Sequence, residues 1–470
     1  MRISLTLFAT ASVLLGGCVP RLGPAPAINA VAPGETAATL ATRPGIAVDA
    51  AWWTNFADPQ LDGLIAEALA GSPDVASAAA RVSQAEALVQ QAGAAQAPSL
   101  SVDGVVGGNK QSYNLGIPQQ FVPRGIISTG RLTATFGFNL DLWGKQRAAV
   151  RAARGDAAAA RLDADQARLM LSTEVANAYA ELQRDFALAA TAREALALRQ
   201  ESSRLAGLRV SGGLDNRGSG AQAEARAPAA EADLQAAEAA IVLTRHRLAV
   251  LVGRGPDRGE TIVAPAMKPY AIGIPVNAGI DLVGRRPDVV AARVRTEAAG
   301  ERIKVAKADF YPNINLGAVV GLQSLGLSKL FDSGSAYGNG GPAFSLPIFD
   351  GGRIAGRYRG SRADFDLSVA NYDRTLLTAL GQAADAVATL DSVEAQLTEQ
   401  RRSAASNGEA ARIARLRYTG GLSNQLVALT AEDSLVVSRR AVADLEGRRL
   451  LAQVALIRAL GGGYVSNGAR

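Results

Sequence analysis

The chain alternates most cleanly around residue 136. Leu132, Ala134, Phe136, Phe138, Leu140 and Leu142 fall on one side, and Arg131, Thr133, Thr135, Gly137, Asn139 and Asp141 on the other. A period of two over about 12 residues predicts a β-strand with one apolar and one polar face. The alternation returns at Ile314, Leu316, Ala318, Val320 and Leu322, set between Asn313, Asn315, Gly317, Val319, Gly321 and Gln323. A third run places Phe344, Leu346 and Ile348 against Ala343, Ser345 and Pro347, and a weaker one starts at Leu100-Ser101-Val102-Asp103. The expectation is two pairs of strands around polar, glycine-rich loops near 109–128 and 324–340. A soluble sandwich would give similar strands. Three features favour a membrane wall instead. The strands are near the ~9–11 residues that a tilted bilayer strand needs. The sequence offers no further sheet to cover their polar face. Phe310, Tyr311, Trp143 and Phe349 gather at strand ends, where interfacial aromatics sit.

The rest of the pattern is helical. Residues 144–211 and 351–418 run 68 positions each without a proline. At 1.5 Å per residue, each predicts a helix of about 100 Å. Segments 60–97, about 221–252, about 281–311 and about 425–460 are roughly half as long. Two such halves stacked end to end match one long helix. Pro228 conflicts with the helix placed at 221–252, and marks either a kink or a later helix start.

These patterns occur twice. Ser72-Pro73-Asp74-Val75, ending at Ala97-Pro98-Ser99-Leu100, matches Arg286-Pro287-Asp288-Val289, ending at Tyr311-Pro312-Asn313-Ile314. Leu208-Arg209-Val210-Ser211-Gly212-Gly213-Leu214 matches Leu416-Arg417-Tyr418-Thr419-Gly420-Gly421-Leu422. Offsets of 214 and 208 residues imply a duplicated unit. The expected organisation is an address at 1–17, a tether at 18–58 and a first repeat at 59–253. A linker at 254–280, a second repeat at 281–460 and a tail at 461–470 follow.

Composition narrows the function. Among 470 residues there is one histidine and one cysteine, so no His-rich or Cys-rich metal site and no internal disulfide is available. A Ser-His-Asp triad would depend on His246, which sits on an Ala/Leu/Arg helix and reads as a surface or seam residue. Gly253-Arg254-Gly255 ends a helix rather than opening one after a strand, so it is no phosphate loop. The net charge of +6 is scattered, which argues against nucleic acid as a partner. No cofactor is expected. Alanine makes up 94 residues and aromatics only 5%, a composition for long helices that approach closely.

Four strands cannot close a membrane barrel, since the smallest need about eight, and open edges are not tolerated in lipid. The expected fold is therefore mainly α with membrane β. Three copies would close a trimeric 12-stranded β-barrel, four strands per protomer, continued by a long α-helical periplasmic barrel. A soluble coiled-coil rod would leave the strands unexplained.

Two resemblances sharpen this. The apolar run Ile3–Leu15 followed by Leu15-Gly16-Gly17-Cys18 resembles a bacterial lipobox. That implies acylation of Cys18 and an anchor in outer-membrane lipid, with Val19 favouring outer-membrane sorting. The body of the chain resembles the outer-membrane efflux proteins, the TolC-type channels, in their lipoprotein branch. The residues that carry it are Trp52-Trp53-Thr54-Asn55-Phe56-Ala57-Asp58-Pro59-Gln60-Leu61, Asp141-Leu142-Trp143-Gly144 and Arg285-Arg286-Pro287-Asp288-Val289. Phe310-Tyr311-Pro312 and Pro347-Ile348-Phe349-Asp350-Gly351-Gly352-Arg353 complete it.

The resemblance implies a passive, non-enzymatic exit channel. It would take small molecules such as drugs and toxic compounds from an inner-membrane pump and a periplasmic adaptor protein. An exit duct for type I protein secretion, or a structural periplasmic lipoprotein, are the alternatives. It also implies that the tips of the helix hairpins meet the adaptor, through Arg209, Gly212, Gly213, Leu214, Arg417, Gly420, Gly421 and Leu422. Aspartates that often narrow the periplasmic mouth are replaced here by Ser423 and Thr430. Glu432 and Asp433 are the nearest acids and the gate candidates, with a solvated helix face as the plainer reading.

Overall fold

The computed structural model describes residues 20, 23–24, 40, 43–114, 116–274 and 284–464. Cys18, the segment 1–17 and residues 465–470 lie outside the described residues. The elements come in two matching series. The first is α1 (Pro59–Gly71), α2 (Pro73–Ala94), β1 (Ser99–Asn109), β2 (Ile127–Leu140), α3 (Lys145–Ser211) and α4 (Arg217–Leu251). The second is α5 (Pro287–Ala308), β3 (Asn313–Leu325), β4 (Ala336–Ser345), α6 (Arg353–Thr419) and α7 (Gln425–Ala459). Helices α3 and α6 both have 67 residues, and α4 and α7 both have 35.

The same devices start and stop the paired helices. Asp141 accepts hydrogen bonds from the Gln146 and Arg147 amides at the head of α3. Asp350 does the same for Gly352 and Ile354 at the head of α6. Asn216 caps α4 by accepting from Ser219, and Asn424 caps α7 by accepting from Val427.

Several bounds differ from the sequence expectation. The helix expected over 60–97 is two helices, because Ser72 precedes Pro73 and takes an extended backbone (ψ 129°). The helix expected from 281 begins at Pro287 among the described residues. Strand β4 lies at 336–345 rather than 343–348, and the loop before it shrinks to 326–335. Its Tyr337-Gly338-Asn339-Gly340-Gly341 stretch is extended because it pairs with Gly317–Gly321, not because its own pattern says so. Leu346 and Ile348 fall beyond it, in the turn into α6. Pro228 neither starts nor ends a helix. It lies inside α4, which keeps Ala223, Leu234, Ile241 and Leu248 buried along its length. That packing outweighs the roughly 3 kcal/mol cost of an interior proline.

The chain forms two compact units, and neither corresponds to one repeat. One takes the described residues within 1–28, 82–159 and 292–371, and holds the sheet. Its strands run β1-β2-β3-β4, all antiparallel. Beneath the sheet, Lys145 and Arg357 both bind Asp309, at 2.6 and 2.7 Å, tying α3, α5 and α6 at that end.

The other unit takes the described residues within 29–81, 160–291 and 372–470. Its core centres on Trp52, Phe56, Leu61, Leu64, Ile65, Tyr179, Leu182, Leu248, Ile262 and Leu456, each at most 1% exposed. The N-terminal motif builds it. Asp58 caps α1 and also accepts from the Tyr179 hydroxyl (2.8 Å) and the Ala266 amide (2.8 Å). Gln60 pairs with the Val263 backbone in both directions. The Arg285-Arg286-Pro287-Asp288 motif works as a clamp. Buried Arg286 forks onto Asp288 and also donates to Gln382 and the Ala459 carbonyl. Gly253 and Arg254 close the end of α4 by returning their amides to Val250 and Ala249.

Candidate functional site

The register of the sheet sorts every strand residue onto one of two faces. Leu132 stands opposite Leu322 and Gly104, Ala134 opposite Val320 and Val102, Phe136 opposite Ala318 and Leu100. Phe138 pairs with Leu316, and Ile314 joins Leu140 to Phe344. One face of all four strands is therefore continuously apolar. The opposite face carries Ser101, Asp103, Thr129, Arg131, Thr133, Thr135, Asn139, Asn315, Gln323 and Asn339.

The apolar face is bare in the isolated chain. Leu100 is 73% exposed, Val102 65%, Val320 66% and Phe344 81%. A patch of this kind is not left to water. The polar face is exposed at Ser101, Asp103, Asn315, Gln323 and Asn339 and half-buried at Thr133 and Thr135, and β1 and β4 each keep one unpaired edge. Aromatic and aliphatic side chains crowd the strand ends nearest the helices. Trp143 stacks on Tyr311 at 4.9 Å and donates its indole N–H to the Pro312 carbonyl. Ile348 and Phe349 are 93% and 92% exposed. Phe310 instead turns inward against Tyr358. No helix among the described residues is long and apolar enough to cross a membrane.

The helix tips hold the other candidates. Gly213 and Gly421 take φ of +70° and +74°, the left-handed conformation that a side chain resists. The amides of Leu214 and Leu422 then return to the carbonyls of Arg209 and Arg417, which closes each helix. Leu214 and Leu422 stand out at 68% and 74% exposed. Gly212, Gly420 and Arg417 are exposed as well. Arg209 is placed differently from its counterpart. It binds Asp215 at 2.8 Å and lies over the Tyr418 ring at 4.7 Å, so it ties the first tip to the second. The Tyr418 hydroxyl completes the link by donating to Asp215. Arg209 holds the Asp215 carboxyl below the usual range, and burial pushes Tyr418 up to about 12, so both stay in their bonding forms at neutral pH.

The sequence did not reveal that Glu432 and Asp433 belong to a four-charge cluster. Glu432 is only 3% exposed. It accepts from the Ser202 hydroxyl (2.9 Å) and binds Arg199 at 3.2 Å. Asp433 bonds both Arg199 and Arg226. Burial raises the Glu432 pKa, and Ser202 and Arg199 oppose that only in part. The arginines sit 233 and 207 residues upstream of their carboxylates, so nothing local in the sequence signals the pairing. His246 is exposed on α4.

The sequence profile described as outer membrane efflux protein matches residues 64–254 and 281–462. The chain belongs to that family. The fusaric acid resistance protein FusA of Burkholderia cepacia is 39% identical over 310 residues, covering 64% of this chain and 58% of FusA's length. The outer membrane protein OprJ of Pseudomonas aeruginosa is 30% identical over 431 residues, 90% of this chain and 88% of OprJ. The crystal structure of the outer membrane protein VceC of Vibrio cholerae superposes with a TM-score of 0.84 at 39% identity. It covers 89% of this chain and all of VceC. An outer-membrane efflux protein accounts for the bare apolar face of the sheet, which has membrane lipid as its natural cover.

Proposed function

We propose that three copies of this efflux protein form a passive exit duct for small toxic molecules. The observation that carries the reading is the four-stranded sheet, bare on its apolar face and unpaired at both edges. Three copies joined β1 to β4 give 12 strands, enough to enclose water and to remove every edge from lipid. The apolar face then meets acyl chains and the polar face lines the lumen. Cys18 carries the acyl anchor, and the duct needs no other cofactor and performs no catalysis. A periplasmic adaptor grips the exposed Leu214 and Leu422 tips, and an inner-membrane pump supplies the energy. FusA is named for resistance to an organic acid, which supports a toxic small molecule as cargo.

Planar-bilayer recording of detergent-purified protein, with native mass spectrometry on the same sample, tests the reading. Stepwise conductance from a trimer is expected. A monomer that passes no current would overturn it. Intact-mass measurement reads the lipid on Cys18 directly.

A further inference from the structure

The strands and their two loops, residues 99–140 and 313–345, hold six charged side chains. These are Asp103, Lys110, Arg124, Arg131, Lys329 and Asp332, a net of +2 per chain. All six are exposed, and none forms an ion pair among the described residues. Only Asp103 and Arg131 lie within strands, and both are on the polar face. Asp103 stands opposite Thr133 and Arg131 opposite Val105, so the arginine lies two positions nearer the 110–126 loop. That loop and the 326–335 loop add Lys110, Arg124 and Lys329 against Asp332. The loop end of the sheet is therefore positive, and Asp103 lies deeper than the cations.

The helix tips, taken by themselves, have the same bias. Glu432 and Asp433 are committed to Arg199 and Arg226, and Asp215 to Arg209. Arg217 and Arg417 are exposed and form no ion pair among the described residues. Ser423 and Thr430 bring no charge. Glu224, seven residues into α4, is likewise exposed and without an ion pair among the described residues, so what is left free near the tips is two cations against one anion, a net positive charge.

We propose that this duct favours anionic cargo, small organic carboxylates as a class, and that Arg131 sets the sign at the strand end. The inference rests on the exit-duct reading above. In a closed barrel the threefold operation turns Arg131 into a ring on the lumen wall. Fixed charge on a low-dielectric wall raises the local concentration of counter-ions and lowers that of co-ions. The effect extends over the Debye length, about 10 Å at 0.1 M salt and 30 Å at 0.01 M, so it strengthens as salt falls. A carboxylate leaving through such a mouth is drawn toward the exit. A cation of equal size is repelled from it.

The test is the reversal potential of the full-length protein in planar bilayers under a KCl gradient, repeated with potassium benzoate. Wild type should reverse toward the anion's equilibrium potential, more so at low salt. Arg131→Gln should move the reversal toward zero, and Arg131→Glu should bring the anion-to-cation permeability ratio to one or below. Asp103→Asn should shift it the other way, and Lys329→Glu, in an exposed loop, should reproduce part of the Arg131→Glu effect. All these positions are exposed, and native mass spectrometry checks that each variant still assembles. A conducting, cation-selective wild type, or an Arg131→Glu channel with unchanged reversal, overturns the proposal and leaves the duct reading standing. A silent bilayer overturns both.

Discussion

Glu432, only 3% exposed, is a carboxylate held inside the protein by its neighbours. As an acid near a helix tip it reads as a free charge. In the fold it bonds Arg199 and Ser202 of α3 and lies beside Asp433, which bonds Arg226 of α4, while Arg415 of α6 acts on it only through its charge. Truncating Arg199 to Ala leaves the carboxylate buried without its partner, which costs roughly 3–5 kcal/mol. Adding Glu432→Gln to that variant should recover a good part of the loss, and a double-mutant cycle in denaturant measures it. The pH sign follows from the raised pKa. Glu432 contributes most to stability below the ordinary glutamate range, and that contribution falls as pH rises through its folded value. In the Arg199→Ala variant the fall should be steeper, and thermal melts between pH 4 and 8 should show it. Asp58 is the other residue with many duties, as helix cap, hydroxyl acceptor and loop acceptor at once. Asp58→Ala should cost about 1–3 kcal/mol by stranding the Tyr179 hydroxyl and the Ala266 amide.

At the scale of elements, the duplicated sequence produced duplicated helices down to their lengths, because the stop and start signals were duplicated too. Glycine at 213 and 421 and asparagine at 216 and 424 turn the chain at both tips. Replacing both glycines with Ala forces two side chains into left-handed backbone, at a cost of about 1–2 kcal/mol each. Hydrogen exchange should then show faster opening confined to the last turns of α3 and α6. Strand β4 shows the opposite case. Its glycines give no alternation of their own, and only pairing with β3 makes it a strand. The exposed face of β1 permits a sharp comparison. Val102→Lys places a charge on the apolar face and should cost about 2–4 kcal/mol if that face sits near mid-bilayer. Ser101→Lys, one residue away on the polar face, should change little. Unfolding from lipid vesicles separates the two, and equal effects would mean that neither face touches lipid.

At the scale of the molecule, alternation and length alone specified two strand pairs, two long helices and their repetition. These depend on local chemistry, a period of two or of 3.6 and the residues that end a run. The break at Ser72 follows a local rule too, the restriction that Pro73 places on the residue before it, whereas Pro228 and β4 were settled by neighbours far away in sequence. Tertiary structure alone decided the register in which the strands of both repeats join, that Arg209 and Tyr418 link the two tips, and that Glu432 is buried among arginines. Each of these sets residues roughly 200 positions apart side by side, as with Arg209 and Tyr418. Periodicity records which face a residue takes, but not which distant charge will meet it there.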